Sequence, residues 1–264
     1  MLAVLNWGLG HAARCIPIVK ELQLQGAEII LASDGNAMSL LEIEFPELTC
    51  LRLPAYNIKY DSTNMMFTIA KQIPKIISAI QKENLAVQKI VAQYKIDIII
   101  SDNRYGCYHQ KTKNIFITHQ INLLIPFTPF EKIARWINKK RINQFDECWI
   151  PDFEGEDNIA GLLSHQHSLE NTKYIGNLSR MQKLEVEKKY DVIVVLSGPE
   201  PQRSFLEKII IDQAKKIPQK FLIIQGKVRK DNPKKIHSNI ELIPFLSSKF
   251  LNKAICESSV MISR

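Results

Sequence analysis

The sequence predicts two α/β domains with parallel sheets, joined by a polar linker, and three observations support this. Strand-sized apolar runs alternate with segments of helical spacing in both halves of the chain. A glycine-bearing turn follows the first strand of each half. A polar, charged stretch over residues 176–190 separates the halves, as interdomain linkers do. The predicted first domain is therefore 1–175, and the predicted second domain is 191–264.

The composition is that of a globular protein. Of 264 residues, 45% are hydrophobic and 23% charged, which excludes disordered, fibrous and coiled-coil classes. The net charge of +8 is spread along the chain without a nucleic-acid-binding motif, so no nucleic-acid partner is expected. The five cysteines form no CxxC pair, which argues against a disulfide framework or a zinc site. Without a signal peptide or a membrane-length apolar run, the sequence predicts a cytoplasmic protein.

The first half begins with a strand, a turn and a helix. Residues 2–5 are apolar, and helical spacing then continues to Gly26, a residue type that often ends helices. The segment 96–100, which is isoleucine at every position except Asp97, is typical of a strand buried on both faces of a parallel sheet. A long helical pattern, which Pro74 should kink, precedes this run. Further strands are predicted at 28–32, 48–53, 115–118 and 148–150, the last as an edge or closing strand.

The second half repeats the alternation. Ser204 and Glu207 have the S-x-x-E spacing of a capping box, which predicts a helix start at Ser204. The final apolar run reads as a buried strand with nothing after it, so we expect the second domain to be incomplete. The predicted elements are strands at 191–196, 221–224, 240–243 and 259–263, and helices at 204–214 and 249–255.

The turn after the first strand carries Gly8, Gly10 and His11. Glycines let the backbone approach a ligand, and the N-terminus of the following helix favours an anion. Ala13 stands where a dinucleotide fingerprint has its third glycine, so that fingerprint is only weakly supported. His11 is either a general base or a residue that caps the helix or bonds a neighbouring loop.

Two further turn regions follow predicted strands, where ligands of open α/β sheets bind. The loop 197–204 joins a glycine, two prolines and Arg203 to a helix N-terminus, which suits a diphosphate or is an ordinary strand–helix loop. The segments 101–106 and 117–122 carry Arg104 and His119, which either line a ligand cleft or reflect ordinary polar turns.

Residues 126–145 interleave aromatic and basic side chains. Such a segment either docks on anionic lipid or forms a helix that buries Ile133, Trp136 and Ile137. The pair His165 and His167 lacks a third metal ligand nearby, and the acidic stretch 152–157 reads as a solvated loop. Neither of these two is expected to be a site.

Taken in order, these motifs resemble the GT-B glycosyltransferases, in particular the family 28 branch that contains the N-acetylglucosaminyltransferase of lipid II synthesis. The matching segments are the turn at 8–11, the segment 117–122, the loop 197–202 and the segment 240–245. The resemblance implies two Rossmann-like domains, the second incomplete. It also implies a hexosyltransferase that moves a sugar from a UDP-sugar to a hydroxyl acceptor in cell-envelope, polysaccharide or glycolipid synthesis, with no metal or cofactor.

The resemblance also implies roles for individual residues. His11 would take the proton of the acceptor hydroxyl. The implied acceptor-binding residues are Gly8, Leu9, Gly10, Asn103, Arg104, Tyr105, His119, Gln120 and Asn122. The implied donor-binding residues are Ser197, Gly198, Gln202, Arg203, Ser204, Gly226 and Phe245. The acceptor would be a glycan or lipid-linked molecule. Separately, the residue pattern of 126–145 predicts peripheral contact with the inner face of the membrane.

Two departures keep alternatives open. The pattern of Gly8, Gly10, His11, Arg14 and Cys15 is closer to the nucleotide-sugar hydrolase of pseudaminic acid biosynthesis, which uses this histidine on water. The Gly/Ser-rich donor-binding turn of the family should follow the last residues of the sequence and is absent from it. A hydrolase, an epimerase of the same fold and a non-catalytic nucleotide-sugar-binding protein are therefore the alternatives.

Overall fold

A computed structural model describes residues 1–57, 65–123, 128–166, 169–198, 200–228 and 232–263. Contacts divide the chain into two compact units. The first unit comprises Met1–Leu5, Ile18–Asp34 and Leu48–Leu178. The second unit comprises Asn6–Pro17, Gly35–Glu47 and Ser179–Arg264. These units differ from the predicted boundaries, because two segments from the first half belong to the second unit, and the boundaries 1–175, 176–190 and 191–264 stay a prediction.

The first unit contains a seven-stranded sheet in the order β3-β2-β1-β4-β5-β6-β7. Every neighbouring pair is parallel. Its strands are β1 (Leu2–Val4), β2 (Ile30–Ser33), β3 (Thr49–Arg52), β4 (Ile98–Asp102), β5 (Lys113–Ile117), β6 (Glu147–Ile150) and β7 (Thr172–Tyr174). The strand order reverses between β1 and β4, so the crevice that open α/β sheets use for ligands lies at the carboxyl ends of these two strands.

The described residues of this half of the chain form the helices α1 (Gly10–Leu24), α2 (Gly35–Glu44), α3 (Met65–Tyr94) and α4 (Thr128–Ile142). Helices α1 and α3 run through Pro17 and Pro74 respectively. Val87 and Val91 of α3 pack against Ala3 of β1 and Ile99 of β4, which confirms that the central strands are buried.

The second unit contains a five-stranded sheet in the order β10-β11-β9-β8-β12. Its strands are β8 (Tyr190–Val195), β9 (Phe221–Ile224), β10 (Lys234–His237), β11 (Ile240–Ile243) and β12 (Ser258–Ser263). All pairs are parallel except β10 with β11. Helix α5 (Gln202–Ala214) covers one face through Ile210 and Ala214, and α6 (Ser248–Cys256) covers the other through Leu251 and Ala254. The predicted α/β class with two mainly parallel sheets is confirmed.

Several predicted elements need correction. The strand at 148–150 is not at an edge, because β7 pairs outside it. The final strand is not buried, since Val260, Met261 and Ile262 are all substantially exposed on the edge strand β12. Helix α5 begins at Gln202, two residues before the predicted start, and its N-cap residue is Pro201. Helix α2 and strands β7 and β10 were not predicted, because they are short and lack a strong hydrophobic period.

Candidate functional site

The turn after β1 belongs to the second unit and lies against the loop after β8. Gly8 has φ +71° and Gly198 has φ +101°, values that favour glycine. A Cβ atom placed on Gly8 would lie 3.9 Å from Cα of Gly198. His11 is the second residue of α1 and is partly exposed. The structure therefore brings the predicted glycine turn and the predicted phosphate loop together.

The carboxyl ends of β8, β9 and β11 also meet. A Cβ atom on Gly226 would lie 2.2 Å from the carbonyl oxygen of Leu196, so only glycine permits this approach. The backbone N–H of Lys227 donates to the carbonyl of Pro244 at 2.9 Å, beside Phe245. The predicted donor-binding residues thus share one edge of the second sheet.

Arg203 contributes to this edge as a buried, fully bonded side chain. Its Nη1 donates to Oε2 of Glu207 at 2.6 Å and to the carbonyl of Gln225 at 3.2 Å. Its Nε donates to Oε1 of Glu200 at 2.8 Å, and its Nη2 donates to the same oxygen and to the hydroxyl of Ser204. Glu207 therefore pairs with Arg203 and does not form the predicted capping box.

Glu200 caps helix α5. Its Oε2 accepts from the backbone N–H of Ser204 at 3.2 Å, and its side chain is 56% exposed. Although desolvation opposes ionisation, the hydrogen bonds from Ser204 and Arg203 lower the pKa of Glu200. The helix N-terminus and the guanidinium of Arg203 were expected to bind a diphosphate. In the structure both are bonded to the carboxylate of Glu200, and Arg203 stabilises the loop.

The predicted acceptor residues of the first unit follow β4 and β5. Asn103 has φ +54°, and its backbone N–H donates to the carbonyl of Ile117 at 3.2 Å, which joins the two strand ends. The hydroxyl of Tyr105 donates to Oδ1 of Asn138 at 2.7 Å. His119 is partly exposed and Gln120 is exposed, so their side chains lie at the surface of these loops.

Arg104 needs a correction, because it is fully buried. Its Nε donates to Glu83 at 2.5 Å, and Nη1 donates to the carbonyl of Val4 at 3.1 Å and to Asp34 at 2.7 Å. Its Nη2 donates to the carbonyl of Pro54 at 2.6 Å. The guanidinium therefore ties the loops after β1, β2 and β3 and helix α3 to the end of β4, and its hydrogen bonds are made within the chain.

Asn122 has a similar internal role. Its amide nitrogen donates to the carbonyls of Leu162 at 2.8 Å and His165 at 2.7 Å, and its side chain is buried. This contact anchors the loop that contains the 3₁₀ turn Gly161–Leu163. We therefore assign Asn122 to loop structure, not to the acceptor.

The loop 152–165 is organised around a buried carboxylate. Asp152 accepts hydrogen bonds from the backbone N–H groups of Phe153, Ile159 and Ala160 and from the hydroxyl of Ser164, at 2.8–3.1 Å. His165 completes the loop, with Nε2 3.0 Å from the carbonyl of Phe153. His167 lies outside the described residues. Within the described residues, no group of three or more His, Cys, Asp or Glu side chains is arranged to hold a metal ion.

Helix α4 presents apolar side chains at its surface. Trp136 is 63%, Ile133 56% and Ile137 48% exposed, so the expectation that these residues are buried is wrong. Lys139, Lys140 and Arg141 occupy the last turn. Residues 126 and 127 of the segment 126–145 lie outside the described residues. Among the helices of the described chain, none combines the length and apolarity that crossing a bilayer requires.

Comparison with known proteins identifies the fold. No protein-family model matches the chain. It is 23% identical over 269 residues to an uncharacterised glycosyltransferase of Methanosarcina mazei, covering 95% of this chain and 70% of that protein. Among solved structures, MurG of Acinetobacter baumannii aligns with a TM-score of 0.50 and 13% identity, covering 100% of this chain and 72% of MurG.

Two other solved structures agree. The calicheamicin glycosyltransferase CalG4 aligns with a TM-score of 0.57 and 10% identity, covering 99% of this chain and 74% of CalG4. Os79 from O. sativa, solved in complex with UDP, aligns with a TM-score of 0.53 and 10% identity, covering 100% of this chain and 76% of Os79. This chain has the GT-B fold of glycosyltransferases and spans about three quarters of the length of those structures.

Proposed function

We propose that this protein is a glycosyltransferase that moves a sugar from a nucleotide-sugar donor, a UDP-sugar, to a hydroxyl acceptor. One observation carries the proposal: the glycine turn after β1 lies against the loop after β8, at an edge where Gly226 packs on the carbonyl of Leu196 and Lys227 N–H donates to the carbonyl of Pro244 at 2.9 Å. Such a surface lets main-chain groups approach a nucleotide closely. The glycosyltransferase name of the archaeal relative and the UDP bound to Os79 support the same class of ligand.

In the proposed mechanism, His11 accepts the proton of the acceptor hydroxyl as the oxygen attacks the sugar. A positioned base of this kind contributes roughly 10²–10⁴-fold to the rate. The backbone at Ser197 and Gly198 would stabilise the departing diphosphate, whereas the start of α5 is already bonded to the carboxylate of Glu200. The turn at Phe245 lies at the same edge and would contact the base of the nucleotide. The remaining acceleration would come from holding both substrates in place.

We propose further that the acceptor is lipid-linked and that helix α4 docks on the membrane surface. Its exposed apolar face, centred on Trp136, lies beside the cationic last turn at 139–141. Apolar burial at the headgroup boundary and about 1 kcal/mol per basic residue near anionic lipid would together hold the protein at the surface.

Acceptor dependence tests the proposed reaction. The purified protein is incubated with UDP-N-acetylglucosamine, UDP-glucose or UDP-galactose, with and without phosphatidylglycerol vesicles that carry polyprenyl-linked sugar. If the protein transfers the sugar, the rate of UDP release should rise with the concentration of acceptor, and a lipid product that carries the transferred sugar should form. Release of UDP or sugar phosphate at the same rate without acceptor would support the hydrolase, which the Gly8–Cys15 pattern favours. Binding of UDP without turnover would support the non-catalytic alternative.

A further inference from the structure

Helix α2, which the sequence reading missed, is bonded at its first turn to the glycine turn that precedes α1. The backbone N–H of Ala37 donates to Oδ1 of Asn6 at 3.2 Å. A Cβ atom on Gly35 would lie 2.2 Å from Nδ2 of Asn6, so the side chain of Asn6 fills the space that glycine leaves open. Asn6 begins the turn that ends at His11, and α2 therefore buttresses that turn directly.

The last residue of α2 caps helix α6. Oε1 of Glu44 accepts from the backbone N–H of Ser248 at 2.6 Å, although 204 residues separate the two in sequence. The side chain of Glu44 is only 7% exposed. Ser247, the N-cap residue of α6, forms no side-chain cap of its own, so Glu44 supplies the capping acceptor. A carboxylate at this end also opposes the positive end of the helix dipole.

Arg180 completes the contact at α6. Its Nη1 donates to the hydroxyl of Ser248 at 3.0 Å and lies 3.9 Å from Oε1 of Glu44. The turn that carries Phe245 ends at Ser247, directly before this cap. The start of α6, and with it the end of the Phe245 turn, is thus held by a residue from α2 and a residue from the segment after β7.

The length and burial of α2 allow it to hold its two ends at a fixed distance from each other. Its ten residues span about 15 Å at ~1.5 Å per residue. Ala37, Met38, Leu40 and Leu41 are completely buried, so the helix is packed along its length. All of these contacts lie within the second unit, which comprises Asn6–Pro17, Gly35–Glu47 and Ser179–Arg264.

We propose that α2 is a strut that fixes the His11 turn relative to the Phe245 turn, with Glu44 and Asn6 as positioning residues at its two ends. The structural role of α2 does not depend on the proposed function. Its consequence does: if the protein is a glycosyltransferase, the strut sets the spacing between the base His11 and the nucleotide of the donor. If Glu44 were only a cap, its loss would loosen α6 and leave the Asn6 turn unchanged.

Hydrogen–deuterium exchange tests the strut without any ligand. Glu44→Ala should raise amide exchange at 245–248 and also at 6–10, at the far end of α2. Asn6→Ala should raise exchange at 245–248 in the same way. Glu185→Ala, which removes an exposed glutamate of the same unit, is the control and should change neither segment. Increases confined to the end that carries the substitution would overturn the proposal.

Ser248→Pro isolates the hydrogen bond itself. Ser248 is the first residue of α6, where proline is well tolerated, and Ser247 has the extended backbone that suits a residue before proline. This variant deletes the N–H that Glu44 accepts. Because Ser248→Pro also deletes the hydroxyl bonded to Arg180, Ser248→Ala serves as its matched control. The effects of Glu44→Ala and Ser248→Pro on exchange at 6–10 should not add, and additive effects would overturn the assigned contact.

Donor binding tests the functional consequence. Glu44→Ala should raise KM for the UDP-sugar and Kd for UDP about tenfold, which corresponds to about 1.4 kcal/mol, while Glu44→Gln, which keeps an acceptor oxygen, should restore most of the affinity. A lowered Tm with unchanged KM and Kd would make the contact purely structural and overturn the proposal. If the unsubstituted protein binds no UDP, the proposed function fails, and the exchange measurements alone decide whether α2 is a strut.

Discussion

Glu83 and Arg104 form an ion pair inside the first unit, with Oε1 and Nε 2.5 Å apart and both side chains fully buried. The second oxygen of Glu83 accepts from the hydroxyl of Tyr56 at 2.7 Å and from the backbone N–H of Gly106 at 2.8 Å. Arg104 also donates hydrogen bonds at the carboxyl ends of β1, β2 and β3. The pair therefore holds the base of the loops that follow β1, β2, β3 and β4.

Removal of Glu83 should leave the charge of Arg104 buried with fewer partners. Glu83→Ala should lower the free energy of unfolding by about 3–5 kcal/mol, because Arg104 would keep only part of its neutralisation. Chemical denaturation measures the change, and Lys89→Ala, at an exposed position on the same helix, is the control. A loss below about 1 kcal/mol, the range of surface pairs, would show that the pair does not stabilise the unit.

Asp152 should make the stability of its loop dependent on pH. Desolvation opposes its charge, but hydrogen bonds from Ile159, Ser164, Phe153 and Ala160 lower its pKa to about 2. Because the folded pKa is depressed, the stabilisation is present above the unfolded pKa of about 3.9 and is lost as the pH falls towards 2.

Asp152→Asn should therefore cost about 2 kcal/mol of unfolding free energy at pH 7, with about half of that difference gone by pH 3. Chemical denaturation of the two proteins between pH 7 and pH 3 measures the gap. A gap that stays constant over this range would mean that the charge of Asp152 does not contribute.

Gly226 should tolerate no side chain. At φ +67° a Cβ atom is strained, and at 2.2 Å from the carbonyl of Leu196 it also collides with backbone. Gly226→Ala should cost about 2–5 kcal/mol and abolish UDP binding, because the Leu196 loop must move. Gly26→Ala has a similar φ of +76° with open space around the Cβ position, so it isolates the conformational cost. Equal losses in the two variants would contradict the close approach.

The exposed face of α4 should bind anionic vesicles. Trp136→Glu should weaken binding to phosphatidylglycerol vesicles at least about tenfold, because it removes apolar area and adds a charge of the wrong sign. Ile209→Glu, at an exposed apolar position on α5, is the matched control in vesicle co-sedimentation. Vesicle binding that is equally sensitive to both substitutions, or insensitive to salt, would contradict docking through α4.

Local hydrophobic pattern was enough to predict most of the two sheets. The segment 96–100 located β4, which spans Ile98–Asp102, because the isoleucines at 99 and 100 are buried in the centre of the sheet. Glycines in the sequence marked the turns after β1 and β8, because the backbone adopts a positive φ there. Helix α2 was missed because it has only ten residues, lacks a strong hydrophobic period and starts at a glycine, Gly35.

The site was harder to predict because sequence shows residue type and not long-range partners. Arg104 and Arg203 read as ligand contacts, yet carboxylates at 83, 200 and 207 bond them within the chain. Nothing in the sequence marks Glu44, whose partner Ser248 is 204 residues away. Asn6 could have been suspected from its place at the start of the glycine turn.

Turnover of the His11→Ala variant decides whether His11 is the base of a sugar transfer. In an assay of UDP-sugar transfer to a polyprenyl-linked acceptor, we expect kcat to fall roughly 10²–10⁴-fold, which is the contribution of a positioned base. The Kd for UDP should stay within about twofold, because His11 is assigned to the acceptor and not to the nucleotide. Transfer at an unchanged rate in His11→Ala would contradict the mechanism, and no transfer by the unsubstituted protein would contradict the proposed function itself.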